Sequence, residues 1–434
     1  MAYDIIIGRD SSDKEKFGDK GLVYIGKGYV KMGQYTSLSN KIWMDVARNH
    51  VILISGKRGS GKSYTLGAIA EELSALDSET AKNITSLIFD TMGIFWTMKY
   101  ENEKDSELLE QWELKPKKLP VKIFVPFGKE EDYKKKQIPF DATFALKVSE
   151  LEAEDWITLF NIQLTSLPGV LIERIINELK ESGKFNVADI ISAIAADKAS
   201  SPDTKEIASS LFQAADTWGI FSKTEEGTEV KDLLTPGTTT ILDTSVYASS
   251  GSFNIRALVI SLISKKIFKT RMDSRKQEEM QSIQHGQNYS SFSKKQDPLV
   301  WIFIDECHEY LSKDEKTPAT DALIQLLREG RQPGISLVLA TQQPAKLHAD
   351  VFTQSDIVIS HRVTSRPDIE ALNNMMQTYS LEGIKQQFDD LPSLKGSAIL
   401  LDDNSERIYP IRVRPRFTWH GGESPTAIKT DFKI

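Results

Sequence analysis

The sequence predicts an α/β fold, a mainly parallel sheet with helices around it, interrupted by an inserted helical bundle and preceded by a short β segment. Three observations carry this reading. Nearly continuous apolar runs recur at Val51–Ile54, Ser86–Phe89, Leu299–Ile304 and Ile335–Ala340, the pattern of parallel strands covered on both faces. Helical spacing of apolar residues falls between these runs. Residues 149–235 show helical spacing alone, with no strand signal.

The elements follow in order. Leu22–Ile25 and Tyr29–Met32 are strand candidates separated by a Gly26–Gly28 turn, in a segment too short to hold a core by itself. The sheet begins at Val51, and a helix over Tyr64–Leu73 follows. Ser86–Asp90 and the run PVKIFVP ending at Pro126 are the next strands; the charged stretches Lys99–Glu110 and Lys129–Lys136 read as solvated faces. Spacings such as Trp156, Leu159, Phe160 and Leu171, Ile175, Leu179 give the helical insertion. Thr239–Asp243 resumes the sheet, before a helix over Arg256–Lys269. The segment Ser274–Asp297 is polar and nearly free of apolar anchors, which predicts a mobile loop. Leu299–Ile304 is the expected central strand. Beyond it come a helix over Ala319–Arg331, a strand over Ile335–Ala340, and strands at Ile357–Ile359 and Ala398–Leu401 around a helix from Arg366 to Met376. The chain from Pro410 reads as a basic, then glycine-rich tail. The expected division is 1–48, a core of 49–148 with 236–409, the insertion 149–235, and a tail 410–434.

Composition bounds the class. With 434 residues the chain exceeds what one compact core usually holds, so two domains or a large insertion are expected. Hydrophobic content of 40% and charged content of 26% describe an ordinary globular protein. A single cysteine, Cys307, excludes an intrachain disulfide and a cysteine-rich zinc site; it reads as a packing residue. No apolar stretch approaches the ~20 residues that span a bilayer, so no membrane and a cytoplasmic location are the expectation. A net charge of −7 argues against a surface coated in basic residues but is blind to a local basic patch.

The chemistry concentrates in Gly56 to Ser63, G-K-R-G-S-G-K-S, set between an apolar strand and a helix. This is the P-loop pattern G-x-x-x-x-G-K-[ST] in its strand–loop–helix setting. Glycines at 56, 59 and 61 let the backbone of Gly56, Lys57, Arg58, Gly59, Ser60 and Gly61 wrap an anion at a helix N-terminus. Lys62 would reach the β- and γ-phosphates, Ser63 would ligate Mg²⁺, and Tyr64 adjoins the bound nucleotide. Asp305 ends an apolar strand, where a carboxylate beside the P-loop would hold Mg²⁺ through water. Glu306 is placed to polarise an attacking water. Gln342 ends the strand expected beside that of Asp305 and reads either as a sensor of the γ-phosphate or as a strand-end hydrogen-bonding group. Arg328 and Arg331 close the intervening helix, as cations at a helix C-terminus or as an arginine finger reaching a neighbouring subunit. His308 either links nucleotide state to a partner or packs. About 240 residues separate Lys62 from Asp305, more than a minimal kinase or small GTPase uses, and an N-K-x-D guanine element is missing, which favours ATP.

The chain resembles the HerA/FtsK superfamily of ring-forming ATPases, nearest the HerA branch. The resemblance rests on NHVILISGKRGSGKS, LIFDTMGIFW, WIFIDECHEYL, LLREGRQPGISLVLATQQPAKL, HRVTSRPDIEAL, LPSLKGSAILL and PIRVRPRFTWHGG, in the family's order and spanning most of residues 49–422. It implies a RecA-like core with a helical insertion, a homo-hexameric ring, and ATP-driven movement along double-stranded DNA. It also implies a nuclease partner of the NurA type or a defence effector, in DNA repair or antiviral defence. By the same resemblance Lys62 and Ser63 match the phosphate and Mg²⁺ residues, Asp305 and Glu306 the second motif, and Gln342 the sensor; the finger falls on Arg331 or Arg328. Asp90 and Gly93 match a D-x-x-G-E-Y segment in which Ile94-Phe95 replaces Glu-Tyr, and the N-terminal barrel of longer relatives looks truncated. A regulatory ATPase scaffold that gates a partner without processive movement is the competing reading. Lys346 and residues 361–366 are weak candidates for a DNA-facing pore.

Overall fold

The computed structural model describes residues 4–32, 35–224, 226–248, 254–285, 297–375 and 381–422. Among these, thirteen strands form one sheet: β1 (Ile5–Ile7), β2 (Leu22–Met32), β3 (Tyr35–Asp45), β4 (Val51–Ser55), β5 (Ile84–Asp90), β6 (Val121–Pro126), β7 (Ala142–Phe144), β8 (Thr239–Asp243), β9 (Leu299–Ile304), β10 (Ile335–Thr341), β11 (Ile357–His361), β12 (Ser397–Asp402) and β13 (Arg407–Val413). Their order is β1-β3-β2-β13-β12-β11-β4-β10-β9-β5-β8-β6-β7. From β11 to β7 every pairing is parallel, while β12, β13, β2 and β3 extend the sheet antiparallel. The fold is therefore α/β with a mainly parallel sheet, as the apolar runs predicted.

Alternation along the strands assigns the two faces. Ile52, Ile54, Val338, Ala340, Trp301 and Phe303 face the helix Lys62–Ser74, which buries Leu66, Ile69 and Leu73 against them. Leu53, Leu337, Leu339, Ile302 and Ile304 face the opposite core, which receives Leu323, Leu326 and Leu327 from the helix Thr320–Glu329 and Leu258, Ile260 and Ile263 from the helix Ile255–His285. Between β7 and β8 lie helices at Ala153–Leu159, Leu167–Ser182, Val187–Ala196, Pro202–Asp216 and Val230–Leu233. Trp156 centres their packing, with Phe212 at 4.9 Å and Phe221 at 5.1 Å between ring centroids. This apolar cluster is continuous with the core under the sheet.

Four expectations need correction. The Gly26–Gly28 turn is instead the middle of β2, which runs through with register shifts at Tyr24/Gly26 and Lys27/Tyr29. Gly26 is there for close approach: a Cβ would stand 2.3 Å from the Arg412 carbonyl oxygen of β13. The polar segment from Ser274 continues the preceding helix to His285; a helix already nucleated by buried residues needs no apolar face to propagate, and Arg275 pairs with Glu278 and Glu279 one turn on. The rest of that expected loop, 286–296, lies outside the described residues. The helix before β10 stops at Glu329, leaving Arg331 in the turn that follows. The basic run from Pro410 is not peripheral: residues to Val413 complete β13, and Arg414 and Arg416 are fully buried.

Candidate functional site

The P-loop joins β4 to the helix Lys62–Ser74. Gly56, Gly59 and Gly61 take φ of 153°, 74° and 114°, and at Gly56 a Cβ would meet Ser60 Oγ at 2.4 Å and His361 Cβ at 2.7 Å. Lys57, Arg58 and Gly59 are exposed, and Ser60 Oγ is buried without a hydrogen-bond partner. Lys62 folds back over the loop, its Nζ donating to the Lys57 carbonyl at 3.4 Å. His361, at the end of β11, lies under the loop: its Nε2 accepts from Thr65 Oγ1 at 2.8 Å and its Nδ1 donates to the Ser397 carbonyl at 3.0 Å. Burial lowers its pKa to about 4. His361 is thus a neutral support of the P-loop and no pore residue, which corrects that expectation; the polar apolar-run ending had hidden its burial.

β10 lies between β4 and β9, so the ends of all three strands meet at one edge. Ser63 Oγ donates to Asp305 Oδ2 at 2.5 Å, and Glu306 N–H donates to Asp305 Oδ1 at 2.9 Å. Asp305 is 2% exposed, and burial raises its pKa. Two hard oxygen ligands therefore converge at the helix N-terminus, a set that fits Mg²⁺. Glu306 holds φ of 50°, a left-handed backbone that costs a non-glycine residue on the order of 1 kcal/mol. Burial first, and then the Asp305 charge, push its carboxyl up to about 7. Its Oε2 is buried without a hydrogen bond, 3.4 Å from His308 Nδ1.

His308 lies against the end of β10. Gln343 Nε2 donates to His308 Nε2 at 3.1 Å, and His308 Nδ1 meets Thr341 Oγ1 at 3.3 Å. Burial lowers the His308 pKa and keeps the ring neutral. Gln342 follows β10 half-buried, its backbone close enough to Glu306 to favour the ionised carboxylate. The sequence signal was present in the H-x-x…T-Q-Q juxtaposition, but only the β9–β10 register shows that the two segments touch.

Arg328 and Arg331 are not brought to this site. Both precede β10 and lie at the opposite edge of the sheet, roughly 20 Å away for a strand of seven residues. Arg331 is exposed, and Arg328 Nη2 pairs with Asp350 at 2.7 Å. Cys307 is buried, with its thiol pKa pushed well up by burial, as a packing residue requires. Asp90 accepts the N–H groups of Gly93 at 2.7 Å and Phe95 at 2.8 Å, so it anchors the turn after β5. Burial and its register partner Asp243 raise its pKa. Lys346 is exposed. Among the described residues no cluster of three or more His, Cys, Asp or Glu side chains could hold a metal, and no helix is long and apolar enough to cross a membrane.

A parallel sheet with a P-loop at its carboxyl edge, a serine bonded to a buried aspartate and a neighbouring glutamate defines a P-loop ATPase. The family model described as "Helicase HerA, central domain" matches residues 30–267, more than half of the chain, and the chain belongs to that family. A second model, zonular occludens toxin (Zot), matches residues 252–366. The chain is 24% identical over 140 residues to the DNA double-strand break repair helicase HerA of Pyrococcus furiosus, covering 32% of this chain and 24% of that one. It is 24% identical over 393 residues to the probable helicase MJ1565 of Methanocaldococcus jannaschii, covering 87% of this chain and 65% of the relative. The matched region thus spans less than two thirds of either relative. In fold it is similar to VirB4 of Thermoanaerobacter pseudethanolicus, with TM-score 0.55, 12% identity, and 92% and 97% of the two chains covered. The conjugative coupling protein TrwBdeltaN70 gives TM-score 0.50 at 12% identity, covering 93% and 96%.

Proposed function

We propose that this chain is the ATP-hydrolysing subunit of a HerA-type ring motor, a homo-hexamer that moves on double-stranded DNA with a nuclease or defence effector, in the cytoplasm. The observation that carries the proposal is the Ser63–Asp305 hydrogen bond of 2.5 Å with Glu306 beside it. Lys62 and the loop N–H groups hold the phosphates of ATP. Ser63 and Asp305 would hold Mg²⁺, which when bound offsets charge on the phosphate oxygens. Glu306, with one carboxylate oxygen unpaired and a raised pKa, takes a proton from the attacking water. Gln342 and the His308–Gln343 pair fix the wall on the β10 side.

A second cation at the γ-phosphate, beside Lys62, would in this scheme come from a neighbouring subunit. The exposed Arg331, on the far edge of the sheet, fits a finger offered to the next subunit. Arg328, tied to Asp350, fits less well. The names of the HerA relatives support DNA as the track. Steady-state ATP turnover with and without linear duplex DNA, together with the mass in solution, tests the proposal. A hexamer whose turnover rises several-fold with DNA is the expected result. A hexamer indifferent to DNA would replace the motor with an ATP-switched scaffold.

A further inference from the structure

Beyond the end of β5 the surface opens into a cavity of about 470 Å³ that shares no lining residue with the P-loop cleft. That volume is within the ~300–1,000 Å³ typical of binding sites. Three aromatic rings line it: Trp96, Tyr100 and Trp419. Trp96 is half-buried, Tyr100 is 51% exposed and Trp419 is 40% exposed, so broad apolar surface stands in water. Trp and Tyr are among the residues in which interfaces concentrate their binding energy. Glu101, Glu103 and Gln137 complete the lining. Both glutamates are exposed, and neither is in an ion pair among the described residues.

The rings ride on a fixed frame made by two segments distant in sequence. Trp96 belongs to the short turn Phe95–Lys99, with Tyr100 just after it, and Trp419 to the chain beyond β13. Trp419 N–H donates to the Tyr100 carbonyl at 2.8 Å, and Glu101 bridges Thr418. The Thr97 hydroxyl lies 2.8 Å from the Ile94 carbonyl and 3.0 Å from the Trp419 carbonyl, and it accepts the Gly421 N–H at 3.1 Å. Trp96 and Tyr100 meet edge to face, with centroids 6.1 Å apart. The chain before Trp419 is anchored in the interior. There Glu71 accepts from Arg416 Nε at 2.9 Å and from the N–H groups of Phe417 and Thr418 at 2.8 and 3.0 Å. Because the frame is ordered in advance, an occupant gives up little of its binding energy to organising the pocket.

Charge selects the occupant. Exposed rings alone could stack nucleic-acid bases, but the carboxylates of Glu101 and Glu103 repel the phosphates that come with them. Lys99, the basic residue of the same turn, is paired with Asp141 at 2.5 Å and leaves the acids uncompensated. A cation is drawn by ring faces and by carboxylates alike. A guanidinium suits both, since it lies flat on a ring while its fork of N–H donors matches a carboxylate. An ammonium has no flat face to offer. The Gln137 side-chain carbonyl can accept a further N–H. We propose that this pocket is a docking site for an arginine side chain presented by a partner protein. The proposal goes beyond the nucleotide reading of the P-loop and does not depend on it.

The probe is a fluorescently labelled peptide of alternating glycine and arginine, titrated with the full chain and read by anisotropy. The same peptide with lysine or glutamine in place of arginine, and a labelled oligothymidylate, are run beside it. The arginine peptide is expected to bind about fivefold or more tighter than the lysine peptide, and the glutamine peptide not to bind. Trp419→Ala and Glu103→Gln are each expected to weaken the arginine peptide about fivefold, while ATP turnover and mass in solution stay as in wild type. Glu103 is exposed, so its variant carries the test even where Trp419→Ala fails to fold. Equal binding of the arginine and lysine peptides, or an arginine affinity that neither variant changes, would overturn the assignment. Oligothymidylate binding that Trp419→Ala abolishes would replace it with a base-stacking surface. A folded Trp419→Ala chain of lower mass in solution would replace it with a contact between copies of this chain.

Discussion

At the residue scale the site depends on a few side chains held by backbone geometry. Ser63 gives its hydroxyl hydrogen to Asp305, so the two oxygens stand side by side at the N-terminus of the P-loop helix. Ser63→Ala is expected to remove most of the gain in ATP affinity that Mg²⁺ confers, while affinity measured with a chelator present changes little. Nucleotide titrations with and without Mg²⁺ check this, and an undiminished Mg²⁺ effect would exclude Ser63 as a ligand. His50 acts instead on stability. It is 4% exposed, with Nδ1 2.5 Å from Asp356 and Nε2 3.3 Å from Asp45. Burial opposes its charge, but the two carboxylates prevail and raise the pKa to about 9 from 6.5. A raised pKa stabilises the fold fully below about 6.5, and that contribution is lost as pH rises through about 9. Thermal unfolding should therefore show a melting temperature that declines between pH 6.5 and 9. His50→Gln should abolish that decline and lower stability at pH 6 by a few kcal/mol, on the order of the ~3–5 kcal/mol for breaking a buried ion pair.

At the element scale the P-loop helix is held from both sides. Its apolar face packs on β4 and β10, and its Glu71 anchors Arg414 and Arg416. Gly67 makes room for this anchor, since a Cβ there would stand 2.6 Å from Arg416 Nη1. Burial opposes the Glu71 charge, but Arg416 and Arg414 outweigh it and lower the pKa, so this contribution holds at neutral pH and fades in acid. Glu71→Gln leaves the buried Arg416 without its counter-charge, while Arg414 keeps Glu72 at 2.8 Å, and should cost about 3–5 kcal/mol, read as a shifted denaturant midpoint. A midpoint within about 0.5 kcal/mol of wild type would show the network to be idle. None of this was legible in the sequence. Arg414 and Arg416 carry the polarity of a surface tail, and only tertiary packing sets them against Glu71. The parallel strands were legible because both faces are buried, which leaves continuous apolar runs such as Leu299–Ile304. The P-loop was legible because one contiguous stretch makes it. The Gly26–Gly28 stretch misled because glycine serves close strand approach as well as turns. Segment 274–285 misled because helix propagation is not written in apolar spacing. The pairing of His308 with Gln343 depends on strand order, which a single sequence does not state.

At the scale of the whole molecule the arginines are on the wrong edge of the sheet to serve their own P-loop. If Arg331 completes a neighbour's site, two inactive variants should rescue each other. Lys62→Ala keeps the finger and loses the phosphate site; Arg331→Ala does the reverse. Mixing them under conditions of subunit exchange is expected to restore a fraction of wild-type turnover, from interfaces that pair an intact Lys62 with an intact Arg331. No recovery, with both variants still assembled, would remove Arg331 from the site and turn attention to Arg328.

If Glu306 activates water at the P-loop, Glu306→Gln removes the base and leaves the phosphate-binding residues intact. The measurement pairs ATP affinity with steady-state turnover for this one variant. Retained affinity with turnover reduced about 100-fold or more, the scale of a lost general base, is the predicted result. Turnover at the wild-type rate would exclude Glu306 as the general base.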